Sequence, residues 1–282
     1  MTPEALVYGT FLVFVVAIGL TVGSFLNVCI ARMPDDRSLL PRSHCPHCRH
    51  TIRAKDNIPV WSWLWLRARC RDCAAPIGAR YPAVEALGAL VAVLVFRRFV
   101  PDAASIDPVH LTAAAIYFVL LAMLIVAAFV DVSHRIIPDQ TSIYAVPFAL
   151  AAMALLEWLG HTDWMGVSFR SAVLGSAAAG GLFALVSLTW VYLFRREGLG
   201  WGDVKLIALV GAFLGAIPGS LVVLLLSTLT MSVVGLTHLV WARKRLPLPF
   251  GPVLALCAAV YVLYGDLVLQ TLFPGAARTI GL

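Results

Sequence analysis

Long uncharged stretches alternate with short polar ones along this chain. Residues 6–30, 109–130 and 206–241 contain no Asp, Glu, Lys or Arg, and the last of these runs for 36 residues. Apolar runs of about 20 residues match helices that cross a bilayer, whereas strands of a membrane barrel are about half that length and alternate in polarity. The pattern predicts an all-α polytopic membrane protein with about eight transmembrane helices. They fall near residues 6–30, 82–100, 109–130, 140–156 and 171–194, then two between 206 and 241, and a last one over 250–273. The 36-residue run is divided at Ile217-Pro218-Gly219-Ser220, because proline and glycine interrupt a helix and favour a turn.

Composition agrees. Of 282 residues, 61% are hydrophobic and 13% charged, against roughly 25% charged in a soluble globule. The first run has no Lys or Arg before it, is long, and lacks a clear small-residue cleavage site, so it reads as a retained anchor rather than a cleaved signal. Between the first and second spans lies a hydrophilic loop, 32–81, that holds ten Lys/Arg against four Asp. The positive-inside rule puts this loop in the cytoplasm and both termini outside. On that map 17 of the 21 Lys/Arg are cytoplasmic, Arg243-Lys244-Arg245 among them. Nothing in the chain suggests nucleic-acid binding, and the sequence is silent on oligomeric state.

Two acids stand at ends of apolar runs. Asp131 follows 109–130 directly, and Asp203 precedes 206–241 within Gly200-Trp201-Gly202-Asp203-Val204-Lys205. A carboxylate at the mouth of a membrane helix is costly and marks a functional candidate. Two helices separate the pair in sequence, so the chain crosses and returns, and both acids face the cytoplasm. Such a pair, if the helix ends meet, could serve an aspartic protease. Polar helix termini at the lipid boundary would carry the same residues.

The hydrophilic loop contains Cys45-Pro-His-Cys48 and Cys70-Arg-Asp-Cys73. Two CxxC pairs can close a tetrahedral zinc site, and a reducing cytoplasm argues against disulfides. A redox pair is the competing reading. Zinc here would be structural, since a loop of this size has little apolar core of its own. The adjacent tryptophans Trp61, Trp63 and Trp65 read as a membrane-interface belt. Cys29 and Cys257, inside apolar runs, read as packing residues.

Several motifs occur together in one order: Gly23-Ser-Phe-Leu-Asn27-Val28 with Arg32 and Pro34, the four cysteines, and Asp56-Asn57-Ile58-Pro59. Then come Arg80-Tyr81-Pro82 with Glu85, Asp131 with Ile137-Pro138-Asp139, Gly200 to Lys205, and Pro249-Phe250-Gly251-Pro252. With this set the chain resembles the type IV prepilin peptidases, membrane enzymes of two activities. They remove the basic leader of prepilins or pseudopilins and N-methylate the new terminus. The resemblance implies a bacterial inner-membrane enzyme with Asp131 and Asp203 as catalytic aspartates. Asp139, Gly200, Gly202 and Lys205 would support them. Lys205 reads equally as an inner-leaflet anchor.

The resemblance further implies Zn2+ on Cys45, Cys48, Cys70 and Cys73, and S-adenosyl-L-methionine as methyl donor. No glycine-rich nucleotide motif places that donor. The expected division is an anchor helix over 1–31, a methyltransferase-associated zinc loop over 32–81, and the peptidase region over 82–282. The residues by themselves are compatible with three other proteins: a peptidase with a purely structural zinc loop, a proton-coupled transporter using the two acids as a relay, and a non-catalytic scaffold.

Overall fold

A computed structural model describes residues 2–161, 167–195, 200–242 and 248–275. The basic cluster Arg243-Lys244-Arg245 lies outside them. The described chain is helical, with no strands beyond two isolated bridges. It divides into two compact units, 1–122 and 123–282.

The first unit contains α1 (Pro3–Arg32), the short α2 (Trp61–Trp65), α3 (Arg80–Phe99) and the first half of α4 (Pro108–His134). Thr2 caps α1 by accepting the N–H of Ala5 at 3.3 Å. Asp107 caps α4, its Oδ1 accepting from Val109 and His110 at 2.8 and 3.1 Å. Both caps satisfy backbone donors that a helix start leaves open. Helices α1 and α3 touch backbone to backbone. A Cβ on Gly88 would lie 2.6 Å from the Gly19 carbonyl oxygen and 2.9 Å from the Gly23 Cα, so larger residues there would force the helices apart. Small residues at four-residue spacing give membrane helices this close approach. Asn27 continues the contact, its Nδ2 donating to the Tyr81 carbonyl at 3.0 Å. Beyond it, the rings of Phe99 and Tyr117 stack at 4.8 Å.

The second unit contains the rest of α4 and α5 (Val146–Trp158), α6 (Phe169–Phe194), α7 (Trp201–Leu214), α8 (Leu221–Ala242) and α9 (Gly251–Leu272). At its centre is α7, which packs on α5, α6 and α9. Its buried residues, among them Leu206, Ile207, Leu209 and Val210, go all the way round. A helix apolar on every side belongs inside protein. By contrast α6 and α8 expose Leu185, Leu188, Leu229 and Leu236, a surface that suits lipid and would be a liability in water.

The expected break in the 206–241 run is present. Helix α7 ends at Leu214, Ile217 is extended at φ −135° and ψ 133°, and α8 resumes at Leu221. The helix expected from residue 140 begins later, at Val146. Before it the chain makes two 3-10 turns, Asp139–Thr141 and Ile143–Ala145, separated by Ser142 at φ −133° and ψ −96°. The Pro138 carbonyl is responsible in part, since it accepts both the Thr141 and Ser142 hydroxyls, at 3.1 and 2.9 Å. Short hydroxyl side chains that bond the backbone locally compete with helix.

Six described helical segments are long and apolar enough to cross a membrane. This is a multi-pass membrane protein.

Candidate active site and candidate metal centre

In the second unit three helix ends converge. Asp131 sits in the last turn of α4, Asp203 in the first turn of α7, and Gly251 opens α9. The Gly251 N–H donates to Asp131 Oδ2 at 2.9 Å in a buried contact. A side chain there would crowd the acid: a Cβ would lie 2.8 Å from that oxygen and 3.3 Å from the Asp131 Cβ and Cγ. Asp131 is 7% exposed. Asp203 is partly buried in the first turn of α7, next to Gly202, which lies against Ile137, six residues beyond Asp131. The structure thus brings together the chain segments that carry the two acids singled out by their positions beside apolar runs.

The residues expected to support them lie on the same segments. Gly200 has Asp203 Oδ2 3.3 Å from where its Cβ would be, and Gly202 packs on Ile137 at 3.0 Å measured the same way. Lys205 Nζ donates to Asp139 Oδ1 at 2.7 Å. This pair ties α7 to the 3-10 turn after Ile137-Pro138. Both side chains keep about a third of their surface exposed, so the bridge contributes at most about 1 kcal/mol and chiefly sets geometry.

In the first unit the four cysteine sulfurs lie within 4.8 Å of one another. Cys45 Sγ and Cys73 Sγ are 3.8 Å apart, which is the ~3.8 Å expected between sulfurs when Zn–S bonds of about 2.3 Å point to tetrahedral corners. The donor set therefore fits zinc. His44, His47 and His50 are not in the cluster.

The two knuckles repeat one backbone design. The Cys45 N–H donates to His50 and the Arg49 N–H to Cys45, each at 2.9 Å; Cys70 N–H to Ala75 and Ala74 N–H to Cys70 do the same at 2.8 and 2.9 Å. In each, the residue after the second cysteine is left-handed, Arg49 at φ 60° and Ala74 at φ 55°. The turn aims backbone N–H groups at sulfur. Those of Cys48, first, and His47 hold the Cys45 thiol down at about 6 against the opposing effect of burial. A thiolate is the form that binds metal. One zinc per chain is expected in purified protein by metal analysis, and Cys45→Ser with Cys73→Ser should remove it; full occupancy in that variant would refute the tetrad.

Two ion pairs tie the second knuckle to the Ala54–Asp56 turn. Arg71 binds Asp56 through three contacts of 2.6 to 3.0 Å, and Asp72 binds Arg53 at 3.0 Å. Arg71 beside it holds the Asp56 carboxyl below its usual range. A depressed carboxyl stabilises the fold above its unfolded pKa and loses that contribution only as pH falls through the lower folded value. Further on, Glu85 Oε2 accepts the Val60 N–H at 2.6 Å, holding Val60 at φ 62°, a strained torsion for a β-branched residue. Trp61 and Trp65 are exposed and stacked, while Trp63 Nε1 donates to Ile77. Cys29 and Cys257 are buried.

The residue runs alone did not point to the Gly251 contact, the Lys205–Asp139 bridge or the Glu85–Val60 bond. The available signal for the first was glycine between two prolines at the head of an uncharged run.

Fold and cysteine cluster define a multi-pass helical membrane protein with a metal-competent loop. Residues 17–99 match the bacterial peptidase A24 N-terminal domain, and residues 118–236 match the type IV leader peptidase family. A prepilin leader peptidase/N-methyltransferase of Aeromonas hydrophila is 38% identical over 278 residues, covering 88% of each chain. One from Myxococcus xanthus is 41% identical over 240 residues, covering 84% of this chain and 66% of its own. The type 4 prepilin-like proteins leader peptide-processing enzyme of Escherichia coli O78:H11 is 37% identical over 267 residues, covering 86% and 91%. No solved structure gives a significant match. The chain belongs to the type IV leader peptidase family, and is an enzyme of that family.

Proposed function

We propose that this protein removes the basic leader from type IV prepilins or type II secretion pseudopilins with Asp131 and Asp203, and then N-methylates the exposed terminus. The observation that carries the first part is the convergence of the two acid-bearing segments, with the buried Asp131 held by the Gly251 N–H and Gly202 beside Asp203 packed on Ile137. One aspartate acts as general base on a water molecule while the other, protonated, polarises the scissile carbonyl. Two close acids in a low-dielectric setting do not both ionise cheaply, which divides the roles. The Gly251 bond fixes the Asp131 rotamer, and the Lys205–Asp139 bridge holds the start of α7 in register.

Methylation rests on the relatives' names and on the fit of the cysteine loop to its metal. S-adenosyl-L-methionine, when bound, supplies an electrophilic methyl group. The new terminal amine would accept that methyl group and release a proton. Zinc on Cys45, Cys48, Cys70 and Cys73 supplies fold to the loop.

The functional division is an anchor over 1–31, a zinc loop over 32–81 and a peptidase region over 82–282. Eight crossings follow when α3 is added to the six long apolar segments and 201–241 is counted as two helices. Helix α3 carries Glu85, Arg97 and Arg98 and so is less apolar than those six. Both termini then lie outside and both acids at the cytoplasmic face of the inner membrane.

The test is co-expression with a prepilin, reading substrate size and N-terminal mass together. An unprocessed substrate would overturn the peptidase, and a processed but unmethylated one the methyltransferase. In the same assay Gly251→Ala should slow leader removal at least tenfold at matched abundance, because its Cβ displaces the Asp131 carboxylate. Unchanged processing would show that the contact does not position the acid.

A further inference from the structure

Among the sequence motifs that the peptidase mechanism leaves unused are Gly23 to Val28 on α1 and Asp56-Asn57-Ile58-Pro59. In the first unit they come together around an open cavity of about 310 Å3. Its wall includes Phe25 and Val28, one helical turn apart on α1, with Arg42 and Ser43 before the first knuckle and Ala54 and Asn57 after it. We propose that this cavity is the binding site for the adenosyl methyl donor, a proposal that rests on the methyltransferase reading.

Size and chemistry both fit. Small-molecule sites occupy roughly 300–1,000 Å3 and combine an apolar lining with a few placed polar groups. Phe25 and Val28 give apolar surface for a purine. The Asn57 carboxamide and Ser43 hydroxyl offer donors and acceptors for base and ribose, and the Arg42 guanidinium suits the carboxylate of the methionine moiety. Arg42 is already oriented, its Nη2 donating to the Ile52 carbonyl at 3.3 Å.

The cavity is also coupled to the metal. Cys45 and Cys48 lie in the chain between the wall residues Ser43 and Ala54. From the other knuckle, Arg71 and Asp72, both between Cys70 and Cys73, grip Asp56 and Arg53 on either side of the wall residue Ala54. Asn57 follows directly. The zinc knuckles thus act as the frame of a donor site, and the metal needs no part in the chemistry.

The test uses the full-length protein in detergent with S-adenosyl-L-methionine itself, by equilibrium dialysis. Zinc content and leader removal are measured on the same preparations. Asn57→Ala and Val28→Phe, the first removing a polar contact and the second filling the cavity, should each weaken binding at least tenfold. Zinc and leader removal should stay within twofold of the unaltered protein. Ile58→Ala, one residue along and outside the wall, should change none of these. Unaltered donor binding in both cavity variants overturns the site while leaving the methyltransferase reading intact. Weakened binding that tracks lost zinc in both also overturns it, since the wall would then act only through the fold. A raised KM for a mature pilin peptide with donor binding untouched assigns the cavity to the substrate chain and refutes the proposal. Failure of the unaltered protein to bind the donor overturns the site and the methyltransferase together.

Discussion

Asn in place of Asp131, or in place of Asp203, is expected to lower leader removal by about 10³-fold or more while the protein still accumulates in the membrane. General acid–base catalysis by one placed group is worth roughly 10²–10⁴ in rate, and the proposed mechanism uses each acid in a different role. The amide is nearly isosteric with the carboxyl. At position 131 its oxygen can still accept the Gly251 N–H that now holds Asp131 Oδ2 at 2.9 Å. Packing should survive and proton transfer should not. Groups acting as a unit are strongly non-additive, so the double variant should be no slower than either single one. The measurement is the initial rate of prepilin shortening at matched abundance. Processing at a near-normal rate by either single variant would remove the pair from the mechanism. Intact substrate with every variant and with the unaltered protein would leave a proton relay as the better account of the acids.

Much of this site can be read from the chain because its chemistry stands out against an apolar background. Asp131 and Asp203 are visible as charges at the edges of runs with none, and CxxC spacing announces the metal-competent loop. Contacts that depend on how distant segments dock are not visible in that way. Gly251 lies 120 residues from the carboxylate it binds, and no periodicity connects them. Lys205 and Asp139 are 66 residues apart; the sequence left Lys205 equally suited to a lipid boundary, and the fold gives it a carboxylate. The start of α5 shows a different limit. Residues 140–145 are uncharged and continue the run of α5, yet the Thr141 and Ser142 hydroxyls bond back to Pro138 and accompany 3-10 turns instead. The two cysteine knuckles share a backbone geometry through Arg49 and Ala74, residues whose identities give no hint of equivalence.

Serine at all four of Cys45, Cys48, Cys70 and Cys73 is expected to reduce methylation at least tenfold and leave leader removal within about threefold. Metal binding in small loops is folding free energy, and the 32–81 segment has few buried apolar residues to replace it. Without the tetrad the second knuckle no longer presents Arg71 and Asp72 in register, and the Arg53 to Asn57 wall loses both of its clamps. The acids depend on different forces. Asp131 and Asp203 belong to the other compact unit, on α4 and α7, whose backbone bonds are satisfied within each helix as a bilayer requires. Around α7 the packing is apolar. Leader removal and terminal methylation should therefore separate when both are assayed on one prepilin with membrane abundance matched. Equal loss of the two would refute the separation and make the loop part of a shared platform that presents the leader as well as the methyl donor. A loop needed only for stability would instead lower abundance, and both activities would recover once rates are expressed per folded molecule.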